Sequence, residues 1–332
     1  MRIFITGEKG FIARNLFERS KNFNDIQIIA GDQNTNPDVK IFPMLEHIHS
    51  KGELCVHSNN IKKWQKFFEL NEIDVVIHNA AFVGTDVVAL NSHDSTLTNV
   101  QGTYNICRAA KNLDIPVCYI GTTVIYDTAQ YQEEEITEKS ARGPHTLYGC
   151  QKLCSEDIVK SQTNKWMIIR PLFAYGGVGD MNSLIAKTIY GGLNLKTKID
   201  MFLDPDKIKD YMHVNDFCDA VLTAIDQGLW YEDWNVAAET PLKAGEIVDM
   251  IQQIMSMDLS EVLRWHPKTD YLGNHRLSSK KFRKASGWSP SIDIATGIAM
   301  SMFDIYHAAS WYNPLKYLEE SETKDIDLTE FY

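Results

Sequence analysis

Short apolar runs alternate with longer amphipathic stretches through the first half of the chain. The runs are Ile3-Phe4-Ile5, Ile26 to Ala30, Val75-Val76-Ile77, Val117 to Ile120 and Trp166 to Ile169. Each ends in small or polar residues. Between them, Leu97, Val100, Tyr104 and Cys107 keep the three-four spacing of one helical face. This alternation predicts repeated βα units and an α/β fold with a doubly wound parallel sheet. In such a sheet the ligand site lies at the strands' C-terminal ends.

After about residue 171 the texture changes, with "GGVGD" and "YGGLNL" as punctuation. The stretch "DYMHVNDFCDAVLTAI" then reads as a strand and helix rejoining the first lobe. The expected division is a nucleotide-binding domain over 1–175 plus about 209–229, and a smaller substrate lobe over about 176–208 and 230–310. "GWSP" at 287–290 is a turn before a last helix carrying Ile294, Ile298, Met302 and Ile305. The acidic remainder, 311–332, reads as a tail. No internal repeat is evident.

Composition narrows the partners. A chain of 332 residues with 44% hydrophobic and 23% charged residues can bury a large core. Its formal charge of -11 opposes attraction to nucleic acid and to anionic lipid, so neither is an expected partner. No apolar run approaches the ~18 residues of a spanning helix, and the N-terminus reads as a strand; the expected compartment is the cytoplasm. Six cysteines without a Cys-x-x-Cys pair read as free thiols. Cys150 and Cys154 share a helix face, but two ligands do not make a zinc site, so no metal is expected.

The first strand runs directly into Gly7-x-x-Gly10-Phe11-Ile12-Ala13. Gly7 permits a tight turn, Gly10 lets backbone N–H groups approach a pyrophosphate, and Ala13 keeps the following helix close to the sheet. Its place after the first strand turns a weak glycine pattern into a dinucleotide site. Glu8 would repel phosphate if it pointed inward, so its side chain is expected to face solvent beside Lys9. Asp32 follows the second strand at the distance where a carboxylate takes the ribose hydroxyls and repels a 2′-phosphate, which favours NAD over NADP.

"YGCQK" places Tyr148 and Lys152 at i and i+4, on one helical face. A tyrosine near pKa 10 must fall by about three to act as a base near neutrality, roughly 4 kcal/mol, and a neighbouring ammonium with a cationic nicotinamide can supply that. The second Tyr-x-x-x-Lys, Tyr312 and Lys316, encloses Pro314, which breaks a shared helical face. After the fourth apolar run, "IGTTVIYD" adds Thr122 and Thr123, hydroxyls able to bond the same substrate oxygen.

With these residues in place the chain resembles the extended short-chain dehydrogenase/reductases that act on nucleotide sugars, the epimerase/dehydratase group. The resemblance covers about residues 1–308. It rests on Thr6-Gly7-x-x-Gly10, "DVVIHNAA" at 74–81, "NVQGT" at 99–103, Tyr148-x-x-x-Lys152, "RPLFAYG" at 170–176, "DYMHVNDF" at 210–217 and "GWSP", in the family's order. It implies that Thr122 holds the hydroxyl position, Tyr148 the acid/base position and Lys152 the ribose-binding, pKa-lowering position. It makes Asn99 the asparagine at a helix bend, and His78, Ala80 and Ala81 the lining of the cofactor cleft.

Departures from the pattern narrow the reaction. Dehydratases of the group resemble Thr-Asp-Glu where this chain has Thr122-Thr123-Val124, which disfavours dehydration. His57 stands where an acidic residue usually meets the adenine. Phe173 replaces an asparagine that meets the sugar nucleotide, and Lys209 replaces an arginine. Lys209, with Arg276 as the other candidate, is then the partner of the substrate diphosphate. The expected protein is an NAD-dependent nucleotide-sugar epimerase inverting C4 through a 4-keto intermediate, working as a homodimer. A 4-ketosugar reductase is the near alternative, and a catalytically idle nucleotide-binding relative the distant one.

Overall fold

The computed structural model describes residues 1–30, 56, 61–127, 135–177, 180, 183–193, 198–266 and 276–309. Asp32, His57, the tail from 311 and its Tyr312 and Lys316 lie outside them.

The chain opens with β1 (Arg2–Thr6), α1 (Phe11–Ser20), β2 (Gln27–Ala30), α2 (Ile61–Leu70), β3 (Val75–His78), α3 (Thr85–Leu90) and α4 (Ser92–Thr96). A π-helical turn, Leu97–Gly102, leads into α5 (Thr103–Asn112), then β4 (Val117–Ile120), a 3₁₀ turn at Thr123–Ile125, α6 (Leu147–Gln162), β5 (Trp166–Pro171) and β6 (Ala174–Tyr175). There follow α7 (Leu184–Leu193), β7 (Ile199–Met201), β8 (Ile208–Asp210), β9 (Met212–His213), α8 (Val214–Asp226) and β10 (Glu232–Val236). Last come β11 (Pro241–Lys243), α9 (Ala244–Met255), β12 (Leu263–Trp265), α10 (Lys280–Ser286) and α11 (Ile294–Ala309).

Among the described residues, six strands form one sheet in the order β10-β5-β4-β3-β1-β2. Every pairing in it is parallel. The chain runs outward from β1 to β2, then crosses to β3 on the other side of β1. The crevice of such a sheet opens there, beyond the C-terminal ends of β1 and β3.

Two apolar layers cover the sheet. On one face Ile3, Ile5, Leu16, Ile77, Met167, Ile169, Phe217 and Val221 join α1 and α8 to the strands. On the other, Phe4, Val76 and Val117 pack against Trp64 and Phe68 of α2 and Ile106 and Ala110 of α5. The separate core of α7, α9 and α11 is built on Ile185, Ile189, Ile247, Ile251 and Ile298.

The boundary expected near residue 230 is corrected at β10. Glu232–Val236 pairs with β5 from Glu232↔Met167 to Val236↔Pro171 and closes the large sheet. Its side chains Trp234 and Val236 share a core with Phe282 and Trp288, so α10 and the "GWSP" turn also pack on the large sheet. No described helix is long and apolar enough to cross a membrane.

Candidate active site

Gly7 leaves β1 with φ +69, and a Cβ there would stand 2.8 Å from Ala80 Cα. Only glycine allows this turn and this contact together. The Gly10 N–H bonds the Gly7 carbonyl at 2.8 Å, and α1 starts at Phe11 with no side-chain cap at Gly10. Gly10 thus gives the first helical turn no side-chain cap, and its N–H groups are suited to an anion. Phe11 and Ile12 are half-buried and pack at the edge of the core. Glu8 and Lys9 are partly exposed.

Behind the loop, buried bonds run in one direction. The Thr6 hydroxyl accepts from the N–H groups of Asn79 and Ala80, each at 3.0 Å, and lies 2.8 Å from His78 Nδ1. His78 Nε2 is 3.0 Å from the Thr103 hydroxyl, whose proton goes to the Asn99 carbonyl at 2.5 Å. Thr103 therefore accepts from His78, which places the imidazole proton on Nε2 and makes Nδ1 the acceptor from Thr6. Burial, with the Lys152 charge adding to it, pushes His78 down to about 3, so the ring stays neutral. His78 lies wholly beneath the cleft it was expected to line. Ala80 packs against Gly7, and Ala81 beside it is half-buried.

Asn99 sits within the π turn and holds the other wall. Its Oδ1 accepts from the Phe82 N–H at 2.8 Å, and its Nδ2 donates to the Phe82 carbonyl and to Gln151 Oε1 at 3.1 and 2.8 Å. This ties the chain after β3 to α6. Phe82 in turn packs with Val88, Val124 and Tyr148.

Thr146 caps α6 by accepting from the Gly149 N–H, which places Tyr148 in the first turn. Tyr148 is 7% exposed, and burial pushes its phenol up to about 12, opposed by a hydrogen bond with Thr122. Lys152 is 3% exposed; its Nζ donates to the Ile120 carbonyl at 2.7 Å and stands 4.2 Å from the Tyr119 ring centroid. Burial lowers Lys152 to about 7, with Glu156 raising it. Thr122 opens the 3₁₀ turn, and Thr123 is buried within it. A phenol, a hydroxyl and an ammonium thus meet at the end of β4, an arrangement able to exchange a proton with an oxygen placed between the first two.

Sequence reasoning missed the ionic group behind this end of the sheet. Arg170, fully buried in β5, donates from Nε and Nη2 to the two Glu156 oxygens, each at 2.8 Å, and from Nη2 to Asp233 at 2.5 Å. Glu156 lies one helical turn beyond Lys152. An arginine inside an apolar strand needs buried acceptors, so Arg170 could have announced them.

Of the expected substrate residues, Lys209 stands 4.4 Å over the Phe173 ring, which also meets Tyr211. Phe173 touches both the α7–α9–α11 core and the cluster of Ile125 and Tyr126 that follows the threonine pair. Arg276 precedes Leu277 of that cluster, and its buried Nε has no hydrogen-bond partner among the described residues. No group of three metal-ligating side chains occurs among the described residues.

A doubly wound sheet with a glycine turn after its first strand, facing a Tyr-x-x-x-Lys helix, defines a dinucleotide-dependent enzyme of the short-chain dehydrogenase/reductase type. The chain belongs to the NAD dependent epimerase/dehydratase family, whose profile matches residues 3–237. It is similar to dTDP-glucose 4,6-dehydratase of Haemophilus influenzae, 23% identical over 91% of this chain and 97% of that one. Among solved structures it resembles UDP-glucose 4-epimerase of Thermotoga maritima with UDP-glucose, at TM-score 0.79 and 18% identity over 93% and 100% of the two chains. It also resembles dTDP-glucose 4,6-dehydratase of Bacillus anthracis in complex with NAD, at TM-score 0.78 and 20% identity over 95% and 99%.

Proposed function

We propose that this protein is an NAD-dependent nucleotide-sugar epimerase that inverts C4 of a hexose through a transient 4-keto sugar. The observation that carries this reading is the Thr122–Tyr148–Lys152 group, with the buried Thr123 and then Val124 where the dehydratase pattern has two acids. Without an acid to eliminate water, the group is left with hydroxyl and ketone chemistry.

The site fits NAD: Gly7 and Gly10 with the uncapped start of α1 for the pyrophosphate, Ala80 and Ala81 along the cleft, and Lys152 for a ribose hydroxyl. Bound there, NAD supplies reversible hydride acceptance from a sugar carbon. Asp32 remains the residue proposed to select NAD over NADP, and Ala in its place should shrink that preference in a titration of the two cofactors.

Tyr148 takes the C4 hydroxyl proton, Thr122 bonds the same oxygen, and Lys152 holds positive charge behind the phenol. Because burial keeps Tyr148 protonated, the oxidative half needs that charge and a cationic ring in the cleft before the phenol can act as a base. Once the ketone forms, the sugar turns over, and Tyr148 gives its proton back to the C4 oxygen as the hydride is returned to the other face of C4. Phe173 flanks the sugar, and Lys209, which stands over the Phe173 ring, meets the diphosphate, with Arg276, whose Nε has no hydrogen-bond partner among the described residues, as the other candidate.

A 4-ketosugar reductase is the second reading, favoured by the same protonated Tyr148, which is already the acid that a ketone needs. Turnover in deuterium oxide separates the two. An epimerase returns the abstracted hydrogen to C4, so the product carries no deuterium there and the cofactor stays oxidised at steady state. Deuterium at C4 would sink the hydride-return mechanism, whereas consumption of reduced cofactor in proportion to product moves the enzyme to the reductase reading.

A further inference from the structure

Lys152 is the cation of the candidate site, yet no carboxylate lies at ion-pair distance from it among the described residues. Its Nζ meets the Ile120 carbonyl on one side and the face of the Tyr119 ring on the other, 4.2 Å from the centroid. The charged and titratable groups around it come from three elements. On α6, Tyr148 bonds Thr122, and Glu156 spends both oxygens on Arg170. On β3, His78 is neutral and donates toward Thr103. On β4, Tyr119 fills the space between His78 and the lysine.

Tyr119 is placed with little freedom. It is 2% exposed, paired in register with His78 of β3 and Ile168 of β5. Its ring lies 5.7 Å from the His78 ring, and its hydroxyl bonds Ser155 on the turn of α6 after Lys152. A cation over the face of an aromatic ring is attracted by the ring quadrupole, the more so where water is excluded.

We infer that Tyr119 is a positioning residue for the candidate site: its buried ring face holds the Lys152 ammonium in place and in its charged form beneath Tyr148. The consequence for catalysis rests on the Tyr148–Lys152 reading proposed above; the contact itself does not. Burial already draws Lys152 down to about 7, so any loss of the ring's attraction removes the ammonium at a pH where the site has to work.

The test follows Lys152 directly. Lysines labelled with ¹³C at Cε are titrated by NMR in the full chain without substrate, and the Lys152 signal is assigned from its loss in Lys152→Met. Tyr119→Phe keeps the face and should leave the Lys152 pKa unchanged, whereas Tyr119→Leu should lower it by about one. Phenylalanines of increasing ring fluorination at position 119 keep the shape while draining charge from the face, so the pKa should fall progressively along that series. This arm stays decisive even if Tyr119→Leu fails to fold. A flat fluorine series overturns the inference, because a ring that only fills space would show no trend. Since no sugar nucleotide is used, a failed epimerase assay leaves this result standing, and a flat series beside full epimerase activity removes this inference alone.

Discussion

Tyr148→Phe deletes one oxygen and keeps the ring against Phe82, Val88 and Val124. The fold and cofactor binding should therefore survive while turnover falls by about a thousandfold, the scale of a lost acid/base group. Assays of turnover beside cofactor titration check this, with Tyr312→Phe as a variant expected to behave as wild type. His78 carries a second prediction. Its pKa in the fold is about 3 against 6.5 in the unfolded chain. Between those values the unfolded chain binds the extra proton, so stability rises with pH across the window and is lost as pH falls from 6.5 toward 3. The loss amounts to as much as about 4 kcal/mol. Denaturant unfolding of His78→Gln should show a flatter slope over that range. Tyr148 and Lys152 were legible as a pair because their i and i+4 spacing places them on one helical face, whereas Thr122 was reached through the motif after the fourth apolar run and the family resemblance. The bridging role of His78 and the place of Tyr119 were not, since both depend on which strands lie side by side.

At the scale of elements, the turns that hold the site are set by single residues. A Cβ on Gly121 would stand 2.9 Å from Arg170 Cγ and 3.0 Å from Glu156 Oε1, both fully buried. Gly121→Ala should therefore cost about 1–3 kcal/mol and disturb Thr122 next to it, seen as a lower Tm together with reduced turnover. The π turn depends on Asn99 in a similar way. Asn99→Leu would leave the Phe82 N–H and carbonyl and Gln151 Oε1 without their partner, a loss of about 2–4 kcal/mol by thermal or denaturant unfolding. Strands β3, β4 and β5 were legible within two residues, because apolar runs between polar ends have few alternatives. β10 was not: Glu232, Asp233 and Asn235 interrupt its pattern, and what makes it a strand is its register with β5, where Asp233 meets Arg170.

Over the whole molecule, the exposed positions of two adjacent helical segments form a stripe that no other described residue covers. Along α6 the exposed residues are Leu147, Cys150, Cys154, Asp157 and Ser161, which fall at one helical spacing. Beside them, on the π turn and α5, Leu97 and Tyr104 are 36% and 37% exposed, and Leu147 is 44% exposed. We propose that this stripe forms a homodimer by packing four helices, which requires about 1,000 Å² or more of buried surface. Sedimentation should give twice the 37.8 kDa chain mass at micromolar concentration. Tyr104→Glu and Cys150→Arg place charge on the stripe without entering the core, and each should shift the protein to monomer while Tyr148 and Lys152 keep their local surroundings. A wild-type chain that sediments only as a monomer, or variants that stay dimeric, would show that these exposed residues serve something other than self-association.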